Sequence, residues 1–276
     1  MTGVRGSGPG DDSPGPDLSL AGHLPAAPLP AALAPAAERL FGDRLPLASA
    51  YAELLATDGV VRGLVGPREA PRMWERHLLN CAAVAELIPI GASVTDVGSG
   101  AGLPGMVLAV ARPDLTVVLV EPLARRTAFL AEAVETLGLA GTVTVRRARA
   151  EECVGGPLAV APADVVTARA VAPLDRLAGW CLPLVAIGGR LLALKGATVT
   201  DEIEAHRAAI GGWGGAAPVV RRCGVDILDP PTTVVDIVRE RDVAPPRSRP
   251  PRGAAARPGR RPAAGGGSGR GRARRG

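Results

Sequence analysis

Aromatic side chains are scarce in this chain of 276 residues: three Trp, two Phe and one Tyr make up 2% of it, so aliphatic side chains must fill the core. At 47% hydrophobic content they suffice for one large domain with appendages. Lysine is almost absent, Lys195 standing alone against 31 arginines, a bias that with the abundant Ala, Gly and Pro reads as a GC-rich genome rather than a function. Four cysteines, Cys81, Cys153, Cys181 and Cys223, are widely spaced with no C-x-x-C pair, which suggests neither a zinc site nor a disulfide framework, so reduced thiols and no metal are expected. No charged segment followed by an apolar stretch opens the chain, and no run approaches the ~18 apolar residues of a membrane span. A soluble, cytoplasmic protein with no membrane partner is expected.

The net charge of +5 is unevenly divided. Residues 243–276 hold ten arginines and no acid, which leaves −5 on residues 1–242. That Arg-rich tail, and a leader over residues 1–44 rich in Pro, Gly and Ala, have little to bury and are expected to be disordered. Between them, apolar periodicity predicts a helical cap over residues 45–90: one helix from Leu45 to Thr57, then a longer one from Glu69 to Leu87 with Met73, Trp74, Leu78, Cys81 and Val84 on its apolar face. Residues 91–242 then alternate strands and helices, which predicts an α/β domain with a mostly parallel, doubly wound sheet. Strands are expected at 93–97, 115–121, 142–147, 164–168 and 188–194, helices at 104–111, 123–137 and 173–184, and a terminal hairpin at 218–225 and 232–239 around Asp229-Pro-Pro231.

The most informative stretch is Val94-Thr-Asp-Val-Gly-Ser-Gly-Ala-Gly-Leu-Pro-Gly105. A β-branched strand ends in Asp96, and Gly98, Gly100 and Gly102 follow, so the backbone can turn sharply and press against a ligand at the next helix's N-terminus. Two cofactors fit. Gly100, Gly102 and Gly105 satisfy the dinucleotide fingerprint G-x-G-x-x-G, with Glu121 about 20 residues on as a ribose-binding acid. The order D-x-G-x-G-x-G from Asp96 to Gly102 instead resembles the first motif of class I methyltransferases that use S-adenosylmethionine. A terminal hairpin, and too little chain for a second substrate domain, favour the latter.

Several segments in order resemble the bacterial 16S ribosomal RNA guanine-N7 methyltransferase family, also called glucose-inhibited division protein B. They are Glu75-Arg-His-Leu-Leu-Asn80, Asp96 to Gly105, Arg125-Arg-Thr-Ala-Phe-Leu130, Ala148-Arg-Ala-Glu-Glu152, Ala168-Arg-Ala170 and Ala193-Leu-Lys-Gly196. The resemblance covers roughly residues 46–240 and implies a seven-stranded class I methyltransferase sheet, S-adenosylmethionine as cofactor, and a guanine N7 of 16S rRNA, free or in the small ribosomal subunit, as target. A monomer is expected. Carried over by position, it implies that Asp96 lies near the methionine part of the cofactor and that Gly98, Gly100, Gly102 and Leu103 line it. Glu121 would hold the ribose, Ala150 and Glu151 would border the adenine, and Arg169 would stand between cofactor and substrate. Arg169 and Lys195 are the expected catalytic residues.

The chain departs from the amino-group methyltransferases, because Ala168-Arg-Ala-Val-Ala172 stands where their Asp/Asn-Pro-Pro-Tyr signature would follow the fourth strand. No cysteine has the Pro-Cys context of cytosine-C5 chemistry. Guanine N7 carries an unprotonated lone pair and needs no general base, so catalysis would rest on positioning and water exclusion. RNA contacts are expected from Arg72, Arg76 and His77 at helical spacing, from Arg125 and Arg126 at a helix start beside the glycine loop, and from Lys195 at a strand end. A small-molecule methyltransferase and an inactive RNA-binding module on the same fold are the alternatives.

Overall fold

A computed structural model describes residues 27–196 and 199–243. The β-branched runs form a seven-stranded sheet in the order β3-β2-β1-β4-β5-β7-β6. Its strands are β1 (Ser93–Val97), β2 (Thr116–Val120), β3 (Val143–Arg146), β4 (Ala163–Arg169), β5 (Val185–Leu194), β6 (Val219–Cys223) and β7 (Thr232–Val238). β1 to β5 pair in parallel, and β7 runs antiparallel to both β5 and β6. This is the class I methyltransferase sheet, with its antiparallel end strands.

Central strands are buried on both faces, as a parallel sheet covered by helices requires. Alternation then sorts their side chains into two cores. Val165, Leu192 and Val234 join one, and Val166, Leu191 and Val235 the other. The first core is covered by α1 (Ala34–Phe41), α2 (Leu45–Leu54), α3 (Leu79–Ala83), α4 (Gly105–Ala111) and α5 (Ala124–Thr136), the second by α6 (Leu174–Cys181) and α7 (Val199–Gly212). The expected helix over Glu69 to Leu87 is four consecutive pieces, with a π-helical segment at Met73–Leu78 and α3 as its α-helical part. Its expected apolar face is buried throughout.

Two expectations need correction. The leader was expected to be disordered through residue 44, but a 3-10 turn starts at Ala31 and α1 follows it. Ala37 and Phe41 of α1 are buried, and Phe41 meets Trp74 edge to face with ring centroids 6.2 Å apart. Two buried residues four apart on one short helix were hidden by the surrounding Pro and Ala. Residues 1–26 and 244–276 lie outside the described residues, so the remaining leader and the Arg-rich tail stay expectations. The second correction is α7, a 14-residue helix in a stretch to which the sequence analysis assigns no element. It buries only Val199, Ile203 and Ile210, too sparse a stripe to stand out in sequence.

Replacing Phe41 by Ala removes one partner of the Trp74 ring and is expected to cost about 3 kcal/mol, the scale of a buried Phe→Ala change. Denaturant unfolding checks it; a loss under ~0.5 kcal/mol, the range of a surface substitution, would mean that α1 adds nothing to the core.

Candidate nucleoside cavity and its cationic neighbour

β1 ends beneath the glycine loop. The Gly98 and Ser99 N–H groups both donate to Val120 C=O, at 2.9 and 3.2 Å, and the Ser99 hydroxyl donates to Asp96 C=O at 2.9 Å. Above this loop is a cavity of about 630 Å³. Of the residues expected to bind a cofactor, Gly98, Gly100, Leu103, Glu121, Ala150, Glu151 and Arg169 line it. Glu121 is nearly fully buried. Its carboxylate accepts the Gly100 N–H and the Leu123 N–H, both at 3.0 Å, and Arg126 Nη1 stands 3.7 Å away. A carboxylate has about four acceptor sites, so two backbone bonds leave capacity for ribose hydroxyls. Ala150 and Glu151 open a 3-10 turn after β3, capped where Glu152 accepts the Arg149 N–H at 2.7 Å. Val97, Val120 and Ala148 give the cavity an apolar floor, and Leu64 and His77 bring the helical cap to its rim.

Asp96 and Gly102 do not line this cavity. Asp96 is fully buried below the loop, where Oδ2 accepts the Gly105 N–H at 3.1 Å and Oδ1 accepts the Thr167 hydroxyl at 2.8 Å. Burial pushes its carboxyl up to about 6 against the pull of those hydrogen bonds. The folded state therefore favours the protonated acid, and this contribution to stability declines as pH rises through about 6. Gly102, at φ +88°, faces away from the cavity, and a Cβ there would meet the Tyr51 hydroxyl and Met106 Cβ, the latter at 2.9 Å. Its role is close packing of α2 and α4 under the loop. Gly105 has a similar constraint, since an added Cβ would stand 2.7 Å from Asp96 Cβ.

Arg169, at the end of β4, is held by three neighbours from the helical cap. Nη2 donates to His77 Nδ1 at 2.6 Å and to Arg76 C=O at 3.1 Å, and Nη1 donates to Cys81 Sγ at 3.1 Å. Among the described residues no carboxylate pairs with it. Because His77 Nδ1 accepts from Arg169, its Nε2–H donates to Glu69 Oε2, 2.9 Å away. Burial and then the Arg169 charge hold the His77 pKa below its ordinary value, with Glu69 pulling the other way. The ring is thus neutral and in one tautomer. The π-helical turn at Met73–Leu78 supplies the Arg76 carbonyl and carries His77 inward, a common use of π segments at functional sites.

The expected RNA-contacting residues are distributed differently. Arg76 pairs with Glu69 at 3.1 Å and Arg72 with Glu75 at 3.4 Å, so the basic face of that helix is partly offset by acids. His77 is engaged on both nitrogens and adds no cation. Arg125 lines neither this cavity nor the groove described next, whereas Arg126 lines the cavity. Lys195 does not line the cavity either. Its ammonium donates to Ala172 C=O at 2.8 Å and to Glu202 Oε1 at 2.7 Å, and the same Glu202 oxygen accepts the Leu174 N–H at 2.9 Å. The lone lysine therefore fixes the segment leading into α6 through a partner on α7, the helix that sequence patterning missed.

A second groove of about 680 Å³ shares Arg169 and Ala170 with the cavity and includes Lys195, Arg72 and Arg76. Arg222 of β6 also lines it, along with the Asp229-Pro-Pro231 turn. Sequence reasoning overlooked Arg222, although the Arg221-Arg222 pair on an edge strand was a signal. It also overlooked Val171 and Trp180 in the cavity wall. All four cysteines are free and buried, and burial raises the Cys81 thiol above its ordinary pKa despite the nearby Arg169, so none is a poised nucleophile.

An apolar floor, a carboxylate anchored on the glycine loop and an arginine with no carboxylate partner among the described residues thus meet in one cavity. The family profile described as rRNA small subunit methyltransferase G, GidB, matches residues 44–223. The chain belongs to that family. Among relatives bearing the name "Ribosomal RNA small subunit methyltransferase G", the Salinispora tropica protein is 67% identical over 217 residues, covering 78% of this chain and 90% of its own length. The Salinispora arenicola protein is 64% identical over 242 residues, covering 87% of this chain and 94% of its own length. The relative from Corynebacterium efficiens is 54% identical over 217 residues, covering 79% and 93%. In this GidB chain, no helix of the described residues is long and apolar enough to cross a membrane.

An NMR titration of the His77 imidazole is expected to give a midpoint below ~6.5, the unperturbed histidine value. The stability supplied by the neutral ring is complete above that value and is lost as pH falls through the lower folded-state midpoint. A midpoint at or above it would show that the Glu69 contact outweighs burial and Arg169.

Proposed function

We propose that this protein transfers a methyl group from S-adenosylmethionine to N7 of a guanine in 16S rRNA, acting in the cytoplasm as a monomer on free rRNA or on the small subunit. The observation that carries the reading is Glu121, a buried carboxylate with unfilled acceptor capacity on the wall of a cavity of nucleoside size, in a chain of this family. The residues fit the cofactor: Glu121 would accept the ribose hydroxyls, Ala150 and Glu151 would border the adenine, and Val97, Val120 and Ala148 would pack on its apolar faces. Arg169 offers its charge to the carboxylate end of the amino acid moiety. When bound, S-adenosylmethionine supplies an electrophilic methyl on a sulfonium sulfur.

The protein's own part is orientation and water exclusion. His77 has both nitrogens engaged, the acceptor sites that two backbone N–H groups leave on Glu121 would be taken by the ribose hydroxyls, and Arg169 and Lys195 can only donate. No proton acceptor is thus poised at the cavity among these groups, which suits a target nitrogen whose lone pair is already free. Arg169 lines both the cavity and the groove beside it and would touch both cofactor and substrate. Lys195 acts as a positioning residue through Ala172 and Glu202. The wall segment Ala170–Val171 stands where an amino-group methyltransferase would hold its target amine, and it carries no side chain able to accept a proton.

Incubation with labelled S-adenosylmethionine and 16S rRNA or small subunits lacking the modification is expected to yield labelled 7-methylguanosine on nucleoside analysis. Changing Glu121 to Ala is expected to weaken cofactor binding by about 10- to 100-fold, the scale of a hydrogen bond to a charged group. Cofactor binding without label in RNA would redirect the search to another substrate, and no cofactor binding would reject the reading.

A further inference from the structure

Apart from Arg169, the cationic groove beside the cavity is lined by residues outside the proposed cofactor set, and its chemistry is specific. Arg72 and Arg76 line one side, Arg222 of the edge strand β6 lines it as well, and Arg169 and Lys195 are also in its wall. Only two carboxylates, Glu75 and Asp229, line it with these five cations. Arg222 donates to the Thr233 hydroxyl and has no carboxylate partner among the described residues. Lys195 has only Glu202 to offset it, and Arg169 has none. No aromatic residue lines the groove, so a strand lying in it cannot be held by base stacking on rings.

The groove joins the cavity at one place, where Arg169 and Ala170 belong to both walls. Ala170 is the one non-glycine residue with positive φ among the described residues, at +55°. Such a conformation is strained for a residue with a Cβ and persists where the surroundings impose it, often at functional sites. Here it turns the chain between the two spaces.

Resting on the rRNA reading above, we propose that the groove holds the single-stranded RNA flanking the target nucleotide. Its phosphates meet Arg72, Arg76 and Arg222, and the target purine passes Ala170 into the methyl-transfer cavity. The rim made by Leu33 and the Asp229-Pro-Pro231 turn contributes shape rather than charge attraction. Without stacking rings, affinity comes from counterion release and is steeply salt dependent. Each phosphate contact contributes about −0.7 to the slope of log K against log salt for a single strand.

The test measures RNA affinity and methyl transfer of the full chain across a salt series for wild type, Arg72→Ala, Arg222→Ala, Arg222→Lys and the remote control Arg207→Ala. Each of the first two Ala changes is expected to flatten the salt slope by about 0.7 and raise the RNA KM several-fold, with cofactor affinity unchanged. Arg222→Lys is expected to restore the slope, which a purely structural role of Arg222 would not produce, and Arg207→Ala to leave it alone. Unchanged slopes in Arg72→Ala and Arg222→Ala, with methyl transfer to rRNA intact in the wild type, would overturn the groove assignment. If the wild type bound no cofactor or methylated no rRNA, the activity reading itself would fall, and the groove assignment with it.

Discussion

Asp96 ties three elements of the molecule to one carboxylate. Its strand β1 lies inside the sheet between β2 and β4, Oδ2 accepts the first N–H of α4, and Oδ1 accepts the Thr167 hydroxyl of β4. Burial opposes the charge strongly enough to push the acid up to about 6, so the site is retained against a desolvation cost. What this contact supplies is register. It sets where α4 begins and therefore where the glycine loop must turn, and it aligns the end of β4 with the end of β1. The cavity above and the Arg169–Ala170 segment beside it inherit their positions from that alignment.

A second constraint concerns charge. Arg169 is surrounded by a thiol, a neutral imidazole and a carbonyl, partners that orient a guanidinium without neutralising it. A half-buried guanidinium without a carboxylate partner keeps its charge available to an anionic ligand. Glu69 could have served as a direct partner but is held one residue away, on the far nitrogen of His77. Lys195 shows the opposite arrangement, since Glu202 pairs directly with its ammonium. One cation is therefore left available at the junction of two cavities, and the other is spent on geometry.

The periodic strands, the glycine loop, the cap helices and the terminal hairpin were legible because each is encoded locally, by β-branched runs, a 3.6-residue apolar repeat or turn residues. That Gly98, Leu103, Glu121, Ala150 and Glu151 come together around one cavity was legible because these residues follow strand ends in a fixed order. What escaped was α1, too short among Pro and Ala to show a repeat, α7 with its sparse stripe, and anything that depended on which way a side chain turned. Asp96 and Gly102 belong to the same motif as Gly98 and Gly100, yet they face the core beneath the loop.

By itself, then, the sequence determined the sheet, its switch from parallel to antiparallel, the glycine loop and the family. Only the tertiary structure decided that Asp96 braces α4 and β4 beneath the loop, that Lys195 pairs with Glu202, that His77 serves Arg169, and that Arg222 lines one groove with Arg72 and Arg76. The reason is physical. Backbone periodicity is written in residues three or four apart, whereas the partners of a charge are chosen by packing between segments about ninety residues apart, as for Arg169 with Cys81 and His77, and no local pattern carries that information.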